Sequence, residues 1–401
     1  MSLNQTPSSE RVHISFFGKR NAGKSSLINA VTGQELAVVS DVAGTTTDPV
    51  RKAMELLPIG PVLMIDTPGF DDEGLIGEKR VQKTKQVLNM TDIALLVMDA
   101  TQPADESDRQ LVELFTAKSI PFLVVYTKSD LIRIKPKEEF AQEKGFLGSI
   151  VVCANTGENI YELKELIGKT LKESKQDKHL IADLISPGDV IVLVIPIDES
   201  APKGRIILPQ QQVLRDILET GAKAMVVRET ELASALKELK EPPALVITDS
   251  QVFHYVNQIV PDNIMLTSFS ILLARYKGFL DSALEGVRAL DDLQDGDTVL
   301  ISEGCTHHRQ CEDIGTVKIP NWLNVYTGKK IRFKTTSGRE FCEDLSEYKL
   351  VIHCGGCMLN EREMIYRMKT ANDEGVPFTN YGILIAHVNG ILKRAIQIFE
   401  K

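Results

Sequence analysis

Residues 12–25 read VHISFFGKRNAGKS, and this stretch decides the fold of the first part of the chain. The apolar run VHISFF is typical of a buried strand, and GKRNAGKS matches the phosphate-binding loop G-x-x-x-x-G-K-S. Gly18 and Gly23 let backbone N–H groups close around phosphate oxygens, and the helix that follows adds its positive N-terminal end. The stretch therefore predicts a nucleotide site between a strand and a helix.

This loop is expected to contribute side chains as well as backbone. Lys24 should pair with the β- and γ-phosphates and Ser25 should ligate Mg²⁺, while Asn21, Ala22 and Ser26 should line the nucleotide. The alternative is a glycine-rich turn that only joins a strand to a helix. Companion motifs in the right order along the chain count against that alternative.

Two of these companions concern the metal and the γ-phosphate. The motif DTPG ends the apolar run VLMID, which places Asp66 near Mg²⁺ and the Gly69 N–H near the γ-phosphate. The segment GTTTDP lies between the two motifs and resembles the switch I loop of the TrmE and Era GTPases, with Thr46 as a candidate metal contact. A turn aspartate that caps a helix is the structural alternative for Asp66. Lys24, Asp66 and Gly69 are the predicted catalytic residues.

The segment TKSD resembles the guanine motif N-K-x-D, whose aspartate accepts hydrogen bonds from guanine. Lys128 and Asp130 match the motif, whereas Thr127 replaces the asparagine and carries a hydroxyl but no carboxamide. Guanine is still the predicted base, but the missing carboxamide affects how strongly guanine is bound. The later tripeptide CAN stands where such GTPases carry S-A-K or S-A-L, and Ala154 is expected to support the base through its backbone. A surface turn is the alternative reading of TKSD.

Two residues predict features of catalysis. Phe70 follows DTPG where Ras-like enzymes place a glutamine that orients water, so we expect slow hydrolysis or help from another element. Asn21 resembles the asparagine that helps hold K⁺ in TrmE-like GTPases, which predicts stimulation by potassium. A loop asparagine that stabilises its own turn is an equally good interpretation.

The chain is too long for one core and predicts an α/β protein of three domains. Apolar strands alternate with helical stretches in the first two parts, which indicates parallel sheets covered by helices. We expect a disordered leader over 1–9, a GTP-binding domain over 10–172, a small α/β middle domain over 180–268 and a third α/β domain over 270–401. Single helical stretches are predicted over 271–293 and 383–399.

Five of the six cysteines lie in the last hundred residues, where they combine with histidines as C-x-H-x45-H-C-x-x-C. Clustered thiols in a cytosolic protein are more often metal ligands than disulfides. Zinc would be satisfied by Cys305, Cys354, Cys357 and one histidine. A 4Fe–4S cluster would take the three thiolates and leave one iron with an exchangeable ligand. Spacing alone ranks these two almost level, ahead of thiols in an ordinary core.

A TrmE-like GTPase domain followed by this cysteine pattern resembles the HydF family of FeFe-hydrogenase maturation GTPases over essentially the whole chain. The resemblance implies a GTPase domain, a dimerisation domain and a cluster-binding domain. It implies a 4Fe–4S cluster on Cys305, Cys354 and Cys357, with His307 and His353 as candidates for the fourth ligand or for supporting contacts. It also implies a homodimer that scaffolds the diiron subcluster and delivers it to apo-FeFe-hydrogenase, with two radical-SAM maturases as further partners.

Four residues near the motif stay outside it. Glu303 and Glu312 are carboxylates that could occupy an open iron position. Cys311 and Cys342 are read as structural, with Cys311 the first candidate for an exception.

Composition limits the competing functions. The formal net charge of −9 argues against a phosphate backbone as partner, and no apolar run or basic N-terminus indicates a membrane span or a signal peptide. We therefore expect a cytoplasmic protein. The alternative function is a TrmE/Era-like GTPase with a structural zinc site that acts in tRNA modification or ribosome assembly.

Overall fold

The computed structural model describes ten stretches of the chain: residues 6–33, 49–57, 59–70, 83–132, 136–174, 178–197, 206–304, 313–338, 341–342 and 344–400. The chain divides into two compact units, Met1–Gln176 and Asp177–Lys401. Each unit is an α/β structure, as the alternation of strands and helices predicts.

The first unit is built on a six-stranded sheet with the order β2-β3-β1-β4-β5-β6. The strands are β1 Val12–Phe17, β2 Val50–Leu56, β3 Gly60–Asp66, β4 Ile93–Asp99, β5 Phe122–Thr127 and β6 Phe146–Val151. Five strands run parallel, but β2 pairs antiparallel with β3 at one edge. The expected parallel sheet is therefore correct except for this edge strand, which the apolar pattern did not reveal.

Helices cover both faces of this sheet. They are α1 Lys24–Thr32, α2 at residues 83–89, α3 Glu106–Ala117 and α4 Ile160–Ser174. The central strands β1 and β4 are almost wholly buried because they are covered on both faces. The helix α3 begins with a capping box in which Asp105 and Asp108 bond each other's backbone N–H groups. The helix α4 extends into the charged segment KESKQDK at residues 172–178.

The second unit contains two four-stranded sheets, with the orders β10-β9-β7-β8 and β12-β11-β13-β14. Their strands are β7 Val190–Val194, β8 Lys223–Val227, β9 Leu245–Thr248, β10 Met265–Ser268, β11 Thr298–Glu303, β12 Arg332–Ser337, β13 Leu350–His353 and β14 Phe378–Asn380. Every pairing in both sheets is parallel. A single apolar cluster contains side chains from both sheets, including Val192, Val246, Leu300 and Ile352.

Nine helices among the described residues accompany these sheets. They are α5 Leu208–Thr220, α6 Leu232–Glu238, α7 Phe253–Ile259, α8 Phe269–Tyr276, α9 Leu280–Gly286, α10 Ile319–Thr327, α11 Glu361–Asp373, α12 Tyr381–Val388 and α13 Leu392–Ile396. A π-helical turn, Ile314–Lys318, leads into α10.

The single helices expected over 271–293 and 383–399 are each broken in two. The first break lies between α8 and α9, where Gly278 has a φ of +73° and the Phe279 N–H bonds back to the Ala274 carbonyl. This is the geometry of a helix that ends at a glycine. The second break lies between α12 and α13. Apolar periodicity continues across both breaks because both halves are buried, so the pattern did not show them.

Two expectations concern the chain as a whole. The expected leader falls partly outside the described residues, and Ser8–Glu10 forms a short 3-10 turn whose Ser8 carbonyl lies 2.8 Å from Nε2 of His13. Among the described residues, no helix combines the length and the apolar character that crossing a bilayer requires.

Candidate nucleotide site and metal centre

The phosphate-binding loop connects β1 to α1 and is shaped by close contacts with the neighbouring strands. A Cβ at Gly18 would lie 2.2 Å from the Val97 carbonyl oxygen, so only glycine fits there. Asn21 adopts a left-handed conformation with a φ of +58° and has an exposed side chain, whereas Ala22 is buried. The loop therefore has the tight turn that lets backbone N–H groups surround a phosphate.

Lys24 and Ser25 contact the phosphate loop and the end of β3. Lys24 is buried, and its Nζ donates to the carbonyls of Gly18 and Lys19, at 2.9 and 2.6 Å. The Ser25 hydroxyl donates to Oδ2 of Asp66 at 2.7 Å. The structure thus brings together the predicted phosphate ligand and the two predicted magnesium ligands.

Asp66 also has a carboxylate oxygen that suits a cation. The residue is 3% exposed, and its buried Oδ1 accepts no hydrogen bond from the described part of the chain. Burial raises the pKa of Asp66, although the Ser25 hydrogen bond and the charge of Lys24 act in the opposite direction. A buried carboxylate oxygen beside a serine hydroxyl fits Mg²⁺, which prefers oxygen ligands.

Thr127 lies in the segment predicted to recognise guanine and contacts two other parts of the fold through its hydroxyl. The residue is 2% exposed, and its Oγ1 lies 2.6 Å from the carbonyl oxygen of Ala22 and 3.1 Å from that of Met98. The hydroxyl therefore connects the base-recognition segment to the phosphate loop. This tie does not need the carboxamide that the guanine motif usually carries.

The other residues of the base-recognition segment occupy a turn at the end of β5. Lys128 has a φ of +60° and its Nζ donates to Oδ2 of Asp99 at 2.6 Å. Asp130 is exposed and its Oδ1 accepts a hydrogen bond from the thiol of Cys153, 3.2 Å away. Ala154 follows that cysteine in the turn after β6. Burial alone would raise the pKa of Asp99, but hydrogen bonds from Lys128 and Thr101 leave it below the usual value.

Sequence reasoning did not assign two side chains that hold this site in place. One is Asp99, the partner of Lys128. The other is Lys19, whose Nζ donates to Asp105 at 2.8 Å and lies 3.2 Å from the fully buried Asp108. Both carboxylates begin α3, so they anchor the phosphate loop to that helix. The sequence did contain a signal for this helix start, because Asp105 and Asp108 have the spacing of a capping box before an apolar run.

Two predicted residues lie outside the described part of the chain or at its limit. Thr46 lies outside the described residues. Phe70 is the last described residue before 71–82, and its ring packs against the apolar cluster that contains Phe17 and Phe115. Phe70 therefore stabilises the apolar core of this unit, and its ring has no polar group that could orient water.

The second site forms where β11 and β13 end side by side. These strands are parallel neighbours, with Ser302 opposite His353, so their carboxyl ends share one edge of the sheet. The chain continues from β11 through Gly304 and from β13 through Cys354. The Gly304 N–H donates to Sγ of Cys354 at 3.1 Å. Cys305 and His307 lie outside the described residues, but Gly304 immediately precedes Cys305 in the chain.

The turn between Cys354 and Cys357 directs backbone N–H groups at sulfur. Sγ of Cys354 accepts a second hydrogen bond from the Gly356 N–H at 3.4 Å. Gly356 has a φ of +63°, and a Cβ there would lie 2.4 Å from Sδ of Met364. The turn therefore requires glycine at this position.

The electrostatic environment makes both thiols weak acids. Burial raises the pKa of Cys354 to about 11, and the neighbouring Cys357 adds to this rise against the hydrogen bonds from Gly304 and Gly356. Burial also raises the pKa of Cys357, while the charge of Lys277 and backbone N–H groups lower it. Thiols of this kind become thiolates when a metal binds, and N–H···S bonds support such thiolates. The two described cysteines therefore fit a metal–thiolate centre.

His353 is fully buried and uses both ring nitrogens within the protein. Its Nδ1 lies 2.7 Å from the Cys354 carbonyl oxygen, and its Nε2 lies 3.1 Å from Nη1 of Arg367. Because arginine only donates, Nε2 accepts and the proton is on Nδ1. Burial lowers the pKa of His353 to about 3, and the positive charge of Arg367 adds to the effect. These contacts favour a supporting role for His353 over ligation.

Glu303 is a further buried residue near the cysteines, whereas the half-buried Cys342 lies apart from them. Glu303 is 5% exposed, and its Oε1 accepts a hydrogen bond from the Tyr381 hydroxyl at 3.1 Å. Cys342 lies apart from the motif, with Sγ 3.9 Å from the Tyr348 hydroxyl. Within the described residues, no group of three or more histidine, cysteine, aspartate or glutamate side chains has the arrangement of a metal site. Cys305, the third predicted thiolate, is outside that search.

Comparison with known proteins agrees with the geometry of the first site. Residues 13–128 match the family described as 50S ribosome-binding GTPase. The tRNA modification GTPase MnmE of Bordetella petrii is 35% identical over 156 residues, which cover 39% of this chain and 32% of that protein. GTPase Der of Wolinella succinogenes is 40% identical over 176 residues, which cover 42% of this chain and 37% of that protein. The chain thus spans about a third of the length of these relatives.

A solved structure is also similar to part of the chain. It is the crystal structure of an Aquifex aeolicus Era variant bound to GDP and AlF4−, with 21% sequence identity and a TM-score of 0.37. The match covers 54% of this chain and 92% of that one. From the phosphate loop, the Ser25–Asp66 pair and the GTPase family match, the protein is a P-loop GTPase.

The rest of the chain identifies the family. Residues 180–278 match the hydrogen maturase F dimerization domain, and residues 281–398 match the hydrogen maturase F tetramerization domain. These two matches together cover more than half of the chain and leave the GTPase domain in front of them. The chain belongs to the hydrogen maturase F family, which confirms the HydF resemblance of the sequence.

Proposed function

We propose that this GTPase carries a 4Fe–4S cluster on Cys305, Cys354 and Cys357 and uses it as a scaffold for the diiron subcluster of FeFe-hydrogenase. The observation that carries the proposal is the hydrogen bond from the Gly304 N–H to Sγ of Cys354. It fixes the residue before Cys305 against the sulfur of the C-x-x-C turn. Three thiolates can then converge on one centre from two adjacent strand ends.

The nucleotide half of the proposal rests on side chains that the structure brings together. Lys24 binds the β- and γ-phosphates, Ser25 and Asp66 hold Mg²⁺, and Asp130 accepts hydrogen bonds from guanine. The Gly69 N–H and Thr46 serve the γ-phosphate and the metal. Mg²⁺ supplies charge neutralisation at the phosphates when bound. The loop residues Gly18, Asn21, Ala22, Gly23 and Ser26, together with Lys128 and Ala154, line the nucleotide.

Turnover is slow because the chain offers a phenylalanine where a water-orienting side chain is needed. Phe70 packs against apolar side chains, so an added element must order the attacking water. Asn21, exposed at the turn of the phosphate loop, would help to hold K⁺ against the phosphates and so stimulate turnover. Turnover measured in K⁺ and in Na⁺ tests this: we expect faster turnover in K⁺ for the native chain and no difference after Asn21→Ala. Equal rates in both salts for the native chain would remove the potassium role.

The cluster half of the proposal rests on the donor set. Cys305, Cys354 and Cys357 would hold the cluster, and its fourth iron supplies an exchangeable position for a second metal unit. His353 orients the Cys354 carbonyl, as its Nδ1–H bond indicates, and His307 remains a candidate for the open position. The strand ends, the C-x-x-C turn and its N–H groups keep the thiolates in place.

The proposed partners follow from the family. The dimerization and tetramerization domains make the chain an oligomer-forming protein, and we propose a homodimer as its basic unit. Apo-FeFe-hydrogenase and two radical-SAM maturases are the proposed protein partners. The thiol set suits the reducing cytoplasm, and the net charge of −9 makes nucleic acid an unfavourable partner. GTP hydrolysis would regulate partner exchange through the switch loops.

Maturation of apo-FeFe-hydrogenase in a defined mixture with both maturases tests the scaffold function. The variant Cys354→Ser should abolish hydrogen evolution by the matured enzyme. Cys342→Ser is the matched control, because that half-buried cysteine lies outside the motif. Full maturation by the Cys354 variant, or equal loss in both variants, would contradict the proposal.

A further inference from the structure

Lys277 is a buried lysine at the junction between the two matched domains of the second unit. It is 5% exposed and directly follows α8, at the end of the segment that matches the dimerization domain. Its N–H bonds to the Leu273 carbonyl at 3.0 Å, and Gly278 then turns the chain away. The end of α8 therefore fixes the backbone of Lys277, and the side chain of Lys277 stays in the interior where the chain reverses.

The ammonium group of Lys277 reaches the cysteine turn of the other domain. Nζ donates to the carbonyl oxygen of Gly356, between the two cysteines of the C-x-x-C motif, and to that of Leu359 at 2.6 Å. The Gly356 carbonyl also accepts the Leu359 N–H at 3.0 Å. The lysine thus closes the same turn whose backbone N–H groups point at Cys354.

Burying an ammonium group is costly unless negative charge compensates it. The two carbonyl dipoles at Nζ provide part of that compensation. The Gly356 carbonyl that accepts from Nζ belongs to the residue directly before Cys357, so the ammonium group lies beside the predicted ligand turn. A cluster held by three thiolates carries net negative charge, which increases by one unit on reduction, and net charge is one determinant of cluster potential.

We propose that Lys277 is a positioning residue of the cluster site, which holds the C-x-x-C turn and balances the negative charge of the thiolate-bound cluster. The inference rests on the proposed function, because it assigns a role toward the cluster proposed above. It adds that the dimerization domain supplies part of the cluster environment.

The experiment compares native protein, Lys277→Met, Lys277→Arg and a control after anaerobic reconstitution of the full chain. Methionine keeps much of the side-chain length but removes the charge and the donors, whereas arginine keeps the charge. The control is Lys318→Met, since Lys318 is a half-buried lysine that also joins the two domains, through Gln251 at 3.4 Å. The readouts are the cluster midpoint potential, iron release to a chelator and thermal unfolding of the metal-free protein.

We expect Lys277→Met to shift the midpoint potential to a more negative value and to release iron several-fold faster than the native protein. Lys318→Met should match the native protein in both readouts, and Lys277→Arg should recover part of the potential shift. An unchanged potential and release rate in Lys277→Met would overturn the inference, even if its metal-free form melts earlier, because that pattern defines a structural lysine.

A second variant and a check on the native protein distinguish misfolding, a wrong proposed function and a wrong role for Lys277. If Lys277→Met does not fold, Lys277→Gln is read instead, and it should show the same negative shift because it also lacks the charge. A native protein that binds no iron and sulfide would overturn the proposed function and this inference together. A native protein with a normal cluster and an unaffected Lys277→Met variant would overturn the inference alone.

Discussion

The buried pair of Arg367 and Glu363 provides a quantitative test of how the cysteine region is held together. Both residues lie on α11, and Nη2 of Arg367 donates to Oε1 of Glu363 at 2.8 Å. Their side chains are 0% and 8% exposed. The arginine also donates to the Gly338 carbonyl at 2.8 Å and to His353 at 3.1 Å, so removing either partner leaves a charge in the interior.

Breaking a buried pair by removing one partner costs about 3–5 kcal/mol, a large part of the 5–15 kcal/mol that stabilises a typical domain. We therefore expect Arg367→Met and Glu363→Met each to lower the free energy of unfolding by about 3–5 kcal/mol. The double variant leaves no unpaired charge, so its loss should be smaller than the sum of the two by at least about 2 kcal/mol.

Urea unfolding followed by tryptophan fluorescence measures these values in the right part of the molecule. Trp322 is the single tryptophan of the chain, and it packs against the apolar cluster of the second unit. Metal-free protein is used throughout, so that metal binding does not contribute to stability. Additive losses, or a loss below about 1 kcal/mol in Arg367→Met, would refute the reasoning that the pair compensates buried charge.

Three other predictions test separate features. Thr127→Val should weaken GTP binding about tenfold, because about 1–3 kcal/mol is lost when buried carbonyls lose their donor. The control is Thr267→Val, since that buried hydroxyl has no hydrogen-bond partner in the described part of the chain. Equal affinities for GTP in all three proteins would contradict the prediction. Gly356→Ala should lower the free energy of unfolding of the second unit, measured in urea, by about 1–3 kcal/mol, because Gly356 has a positive φ and an added Cβ would meet Met364. A variant as stable as the native protein would contradict the described turn. Hydrogen bonds lower the pKa of Asp99 despite its burial, so the ionised carboxylate stabilises the folded state. The native protein should therefore exceed Asp99→Asn in free energy of unfolding by the largest amount at neutral pH. This difference should shrink as the pH falls through the lowered pKa. Circular dichroism during urea unfolding measures the difference, and a gap that grows toward low pH would contradict it.

Strands that are apolar throughout could be predicted from the sequence almost to the residue. The strand β1 has the bounds of the apolar run VHISFF, and the run VLMID forms most of β3, because central parallel strands are buried on both faces. The strand β2 was missed because it lies at an edge, and its residues VRKAMEL alternate between exposed and less exposed side chains. The three-residue strand β14 is too short to produce a pattern.

The nucleotide site was predictable because its motifs are local in sequence. The pairing of Ser25 with Asp66 follows from two motifs whose order along the chain is characteristic of the fold. Asp99 and Lys19 were not predicted to interact with the site, because their partners are set by which strand and helix lie next to the loop.

In the cysteine region, even more of the contacts depend on tertiary neighbours that the sequence does not reveal. The adjacency of Cys354 to the segment before Cys305 could be expected once both followed parallel strands. The roles of Lys277 and Arg367 could not, because each stands among charged or helix-ending residues that look solvent-exposed in sequence. Both side chains are buried only because α8 and α11 pack beside the C-x-x-C turn. Tertiary contacts, not local pattern, assign them to the site.

Anaerobic analysis of iron, sulfide and zinc, with electron paramagnetic resonance after reduction, tests the central claim most directly. For the reconstituted native chain we predict about four irons and four sulfides, with a reduced-cluster signal that Cys354→Ala loses and Cys342→Ala keeps. One tightly held zinc without sulfide would contradict the cluster scaffold and favour a GTPase with a structural zinc site.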